Sequence, residues 1–114
     1  IKMNKTSEIK ITVELDEKNM PLKINWSATD AGFDGNREAK TLILSLWDPQ
    51  EKLTLAIDLW TKDMMVADMY LHYQQIFQKM AETFQSSTNN IEAAEMIRKF
   101  AREFSKKLEE DKKV

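Results

Sequence analysis

Leu44-Ser45-Leu46-Trp47-Asp48 and Ile57-Asp58-Leu59-Trp60-Thr61 each set aliphatic residues at alternate positions beside a tryptophan. Between them, Asp48-Pro49-Gln50-Glu51-Lys52 reads as a turn. Directly after Thr61 the apolar spacing changes from every second residue to every third or fourth. Such a change of period places a β-hairpin immediately before a helix. A turn at Asp48–Lys52 pairs Leu46 with Leu55, Leu44 with Ile57 and Leu42 with Leu59, a continuous aliphatic face expected to meet the helices. The opposite face then carries Ile43, Trp47, Ala56 and Trp60, with Thr54 and Asp58 alongside.

Upstream, Ile9, Ile11, Val13 and Leu15 alternate with Lys10, Thr12 and Glu14, the pattern of a strand with one wet side. Glu17-Lys18-Asn19 turns the chain past Pro21 into Leu22, Ile24 and Trp26, again spaced by two. Pro21 has no ladder donor and belongs at the beginning or edge of its strand. Ser27 to Glu38 holds both glycines and reads as a long loop. Ala39, Leu42, Ile43, Leu46 and Trp47 fit a helical stripe as well as a strand. The β-branched and aromatic content, the Asp-Pro turn that follows and the near-repeat of LSLWD by IDLWT favour a strand.

Val66, Met69, Tyr70, Tyr73, Ile76, Phe77, Met80 and Phe84 form one helical stripe, with Asp68, His72, Gln75 and Lys79 opposite. Thr61 or Asp63 is the expected cap. Ser86 to Asn90 interrupts the pattern, and Thr88 or an asparagine caps a second helix. That helix buries Ala93, Ile97, Phe100, Ala101, Phe104 and Leu108, and its wet side sets Glu95 before Lys99 and Glu103 before Lys107. Such pairs are worth about 0.2–0.5 kcal/mol each. The expected architecture is α+β: a four-stranded antiparallel meander over about 8–61, then two helices packed on one sheet face, at about 64–86 and 91–110. One domain spans 1–114 on this reading, ending in a charged tail.

The 114 residues are 42% apolar and 32% charged, with a net charge of −2. A chain of that size buries about two-thirds of its unfolded surface, and the mixed charges argue against a nucleic-acid partner, which requires a basic surface. Without cysteine there is no disulfide, thiolate or cysteine-based zinc chemistry. No apolar run approaches the 18 or so residues of a spanning helix, so direct membrane insertion is not expected. The expected compartment is cytoplasmic, or periplasmic if a segment precedes Ile1; Met3 is an alternative natural start.

Further residues carry a resemblance. KTSEIKITVELDEKNMPLKINWSA (Lys5–Ala28), LSLWD, IDLWTKDMMVADM (Ile57–Met69), MAETF (Met80–Phe84) and the final FAREFSKKL together resemble the gliding-motility GldC family of Bacteroidetes. The similarity runs from about Met3 to Leu108, and IDLWTKDM is its most specific part. It implies a small accessory component of the gliding apparatus, linked to type IX secretion, with no enzymatic activity, cofactor or catalytic residue to carry over. Four strands followed by two helices are also similar to the SecB-type export-chaperone domain, by topology alone.

No residue pattern supplies a reacting centre. His72, the lone histidine, lies one turn after Asp68, and an exposed histidine beside a carboxylate accounts for the pair. Asp30-x-Gly32-x-Asp34-Gly35-Asn36 departs from a calcium loop at Gly32 and at Thr41, where Asp/Asn and Glu are needed. Met69 and Met80 fall on the buried stripe, whereas Met64 and Met65 sit at the strand–helix junction. The indole face has two readings. Either loops, a terminus or an inward-turned tryptophan cover it, or Ile43, Trp47, Thr54, Ala56, Asp58 and Trp60 form a protein-interaction surface, since tryptophan is enriched at interface hot spots. The expected function is a non-enzymatic interaction module binding a protein of the gliding or secretion machinery, or a copy of itself. A SecB-like holdase is the alternative; an enzyme or small-ligand receptor built on Asp58, Asp63, Asp68 and His72 is a further one.

Overall fold

A computed structural model describes residues 3–33 and 35–112. The chain divides into two compact units, Ile1–Met64 and Met65–Val114. The first holds five strands: β1 (Ile9–Leu15), β2 (Pro21–Ala28), β3 (Arg37–Ala39), β4 (Thr41–Asp48) and β5 (Leu53–Trp60). They form two antiparallel sheets, β1-β2-β3 and β4-β5, rather than one four-stranded meander.

The first hairpin turns on Asp16, whose Oδ1 accepts the N–H groups of Lys18 and Met20 at 2.8 and 2.9 Å. Asn19 takes the left-handed conformation this turn requires, at φ 63. The register sets Val13 opposite Ile24 and Ile11 opposite Trp26 and shifts between Glu14 and Leu15. Ile24 is 1% exposed and is the largest buried apolar side chain of the sheets. Thr29 closes the open end, donating its N–H to the Glu8 carbonyl and accepting the Glu8 N–H on Oγ1.

The segment expected as one strand over 39–47 is divided at Lys40. Its first part pairs with β2, Ile24 opposite Ala39 and Trp26 opposite Arg37; its second pairs with β5 alone. Continuing the β2–β3 register would bring Pro21 opposite Leu42, and proline has no N–H to give the ladder. The Pro21 carbonyl instead accepts the Lys62 N–H at 3.2 Å. In the loop before β3, Phe33 sits edge-on to Trp26 at 5.2 Å, with the Arg37 guanidinium 4.1 Å from its ring centre.

The second unit is a helical hairpin, α1 (Val66–Thr88) and α2 (Ile91–Asp111). Phe77 meets Phe104 while Gln85 accepts from Arg98, so the two helices run antiparallel. Their seam is built on Ala81, Ala94, Ala101 and Leu108, all buried, with Phe77, Phe100 and Phe104 in mutual ring contact. Small alanines let the helix backbones approach closely and leave ring packing to the flanks. Val66, Tyr73 and Met80 on α1 and Phe100 on α2, expected on the buried stripes, are exposed. Asn90 caps α2, its Oδ1 accepting the Ala93 N–H, and Asn89 ends α1 at φ 58. α1 starts after Met65, which has no side-chain oxygen to cap it; Thr61 and Asp63, the expected caps, lie before the cap position and bond to each other. Glu95 pairs with Arg98 and Arg102 rather than with Lys99, and Lys107 pairs with Asp111 rather than with Glu103. The Asp111 carboxylate raises the Lys107 pKa.

Candidate interaction surface

The β4–β5 hairpin closes through Asp48. Its Oδ1 accepts the N–H groups of Gln50 and Glu51, and its carbonyl accepts that of Lys52. Lys52 itself is left-handed, at φ 53. The register is the one the alternation implies: Leu46 opposite Leu55, Leu44 opposite Ile57, Leu42 opposite Leu59. On the other face Ile43 lies opposite Asp58, Ser45 opposite Ala56, Trp47 opposite Thr54 and Thr41 opposite Trp60. The hairpin thus brings all six candidate residues, Ile43, Trp47, Thr54, Ala56, Asp58 and Trp60, onto one side.

That side meets water. Ile43 is 42% exposed, Trp47 63% and Trp60 55%, and Thr54, Ala56 and Asp58 are exposed with them. The aliphatic face is only partly covered as well. Leu42, Leu44 and Leu59 are half-buried, but Leu46, Leu53, Leu55 and Ile57 stay about half exposed, which alternation alone did not indicate. A two-stranded hairpin apolar on both sides leaves far more nonpolar surface in water than scattered single residues do.

The far end of the hairpin is fastened by polar groups. The Thr61 N–H donates to the Lys40 carbonyl at 2.8 Å, and the buried Thr61 hydroxyl donates to Asp63 Oδ1 at 2.7 Å. Asp63 Oδ2 receives Lys40 Nζ at 2.8 Å, which Glu38 also approaches at 3.2 Å. The two carboxylates raise the Lys40 pKa, and the ammonium with the Thr61 hydroxyl lowers that of Asp63. Lys62 reaches back to Asp16, holding that carboxyl at a pKa of about 2. These carboxylates fix chain segments.

The remaining candidates do not converge. Asp58 sits on the strand face, Asp63 is held by Lys40, and Asp68 and His72 lie on α1. His72 is half-buried with its ring nearly perpendicular to that of Tyr73, 6.3 Å between centres, and no ion pair to Asp68 is present among the described residues. Asp30 accepts the Ser7 hydroxyl at 2.6 Å; Asp34 of the calcium-like run lies outside the described residues. Among the described residues no three His, Cys, Asp or Glu side chains are placed to hold a metal ion. Met65 and Met96 are exposed, and Met64 and Met69 are half-buried. No described helix is long and apolar enough to cross a membrane.

Residues 21–110 match the family model described as gliding motility-associated protein GldC-like. The chain belongs to this family. The match takes in β2 to β5, both helices and therefore the whole exposed hairpin of this GldC-like protein. No protein of curated function and no solved structure shows a significant match to it.

Proposed function

We propose that this GldC-like protein is a non-enzymatic accessory component of the gliding-motility machinery of Bacteroidetes and its linked type IX secretion system. It acts in the cytoplasm by binding another protein through the face of Ile43, Trp47, Thr54, Ala56, Asp58 and Trp60. The observation that carries this reading is the pair of half-exposed indoles on a hairpin with a well-defined register. Rigid aromatic anchors flanked by small and polar side chains are the usual make-up of an interface hot spot. Affinity capture from a gliding bacterium with the intact chain, Trp47→Ala and Trp60→Ala tests it. Each variant is expected to keep the circular-dichroism spectrum and to lose the captured protein. Variants that unfold outright, or that capture as well as the parent, overturn the reading.

A second reading, a SecB-like holdase for exported proteins, draws on the half-exposed Leu46, Leu53, Leu55 and Ile57 of the other face. An unfolded client would be held there by burial of its own apolar side chains. Suppression of aggregation of a reduced, unfolded test protein at equimolar chain supports this second reading, and its absence removes it.

A further inference from the structure

The main-chain edge of β4 names a partner. The bond from the Thr61 N–H to the Lys40 carbonyl flanks the Thr41–Trp60 pair, which fixes the phase of the β4–β5 ladder. In an antiparallel pair, residues alternate between those that exchange bonds with the partner and those whose N–H and C=O point away. Leu42, Leu44 and Leu46 therefore bond to β5, and Ile43, Ser45 and Trp47 turn their main-chain groups outward. β4 pairs with β5 alone, so this outer edge has no strand beside it among the described residues.

Exposed edges are normally blunted by charge, proline or a bulge. β1 carries Lys10 and Glu14, and the outward set of β5 includes Asp58. β4 is uncharged from Thr41 to Trp47; its one charge is Asp48 at the last position, whose carboxylate is engaged by the Gln50 and Glu51 amides, and Pro49 comes only after the strand ends. β4 thus has the longest uncharged stretch of the described strands, on a two-stranded sheet of a kind that is marginal until further strands join it.

We infer that a second copy of this chain pairs with the outer edge of β4, antiparallel about a twofold axis at Ser45, giving a four-stranded sheet ordered β5-β4-β4-β5. Ser45 then faces Ser45 of the other copy, and each Ile43 faces the other copy's Trp47 on the indole side, with about six main-chain hydrogen bonds across the seam. Pro49 marks where the ladder must stop. The seam suits a copy better than a charged partner strand. It is uncharged from Thr41 to Trp47, its centre is a small hydroxyl side chain, and Ile43 on one chain fills the space beside the indole on the other. Ile43, Leu46 and Trp47 offer on the order of 300 Å² of apolar surface per copy. A standard interface contributes about 800 Å² per partner, so association should be concentration dependent. The inference deepens the interaction reading and rests on the same hairpin, but it uses the edge rather than the face.

Light scattering over a concentration series is expected to rise from 13.4 kDa toward twice that mass. Ser45→Lys, which places two ammonium groups at the axis, should hold the mass at the monomer value with an unchanged circular-dichroism spectrum. Because the chain has no cysteine, Ser45→Cys labelled with pyrene maleimide reports the seam directly. Excimer emission is expected there and not from labelled Thr54→Cys on the β5 edge. A parent mass that stays at 13.4 kDa into the hundred-micromolar range overturns the dimer, as does excimer emission from Thr54→Cys alone. Partner capture that depends on Trp60 in a monomeric chain overturns the dimer and leaves the interaction reading standing. A dimer abolished by Ser45→Lys, with capture indifferent to Trp60→Ala, supports the dimer and removes the docking face.

Discussion

The carboxylate of Asp16 and the ammonium of Lys62 meet at 2.7 Å across 46 positions of the chain. Asp16 simultaneously shapes the first turn through the Lys18 and Met20 amides, so one side chain organises the β1–β2 hairpin and ties it to the segment leaving β5. Only 16% of that side chain is exposed, against 53% for Lys62.

This pair predicts acid sensitivity of a definite sign. The Asp16 pKa falls from 3.8 to about 2 on folding, chiefly through the Lys62 hydrogen bond and then the Met20 amide. The unfolded chain therefore binds the proton first. The stabilisation is complete above roughly pH 5 and drains as the pH falls toward about 2. Asp16→Asn should melt below the parent at neutral pH, and the two melting temperatures should converge in acid.

Thr61 is 1% exposed and gives its hydroxyl to Asp63. Thr61→Val keeps the shape and removes the donor. The expected loss is about 1 kcal/mol in urea unfolding, at the low end for a bond to a charged acceptor because Asp63 itself remains open to water.

Ile24→Ala should cost about 2–5 kcal/mol by leaving a cavity in the sheet core. Ile9→Ala, on the neighbouring strand but largely exposed, should stay within about 0.5 kcal/mol of the parent. Equilibrium unfolding of both variants checks the contrast.

Asn90→Ala removes the acceptor of the Ala93 N–H at the start of α2. The expected cost is about 1 kcal/mol, read as a lower urea midpoint in the far-ultraviolet helical signal.

The hairpin register was legible because an Asp-Pro turn and strict alternation admit few pairings, and every expected pair of Leu42, Leu44 and Leu46 is present. The division at Lys40 was not. It depends on where Pro21 falls opposite the next strand, a relation between positions far apart in sequence. The start of α1 was not legible either: Thr61 and Asp63 have capping chemistry, but the helix begins only at Val66, which puts Met65 at the cap, while Thr61 bonds to Asp63 and Asp63 also to Lys40. Glu95 chose arginines over Lys99, since both Arg98 and Arg102 reach it across the helix surface. The indole face could be placed from alternation, whereas the outer β4 edge needed the ladder phase, for which sequence carries only the absence of charge from Thr41 to Trp47.

Lys52 closes the second hairpin at φ 53, a conformation costing a non-glycine residue roughly 1–2 kcal/mol. With that cost in the turn, side-chain contacts between the strands are expected to form before the loop settles. On a nascent chain this ribbon therefore locks late, and Lys52→Gly should slow unfolding while leaving the stopped-flow refolding rate nearly unchanged.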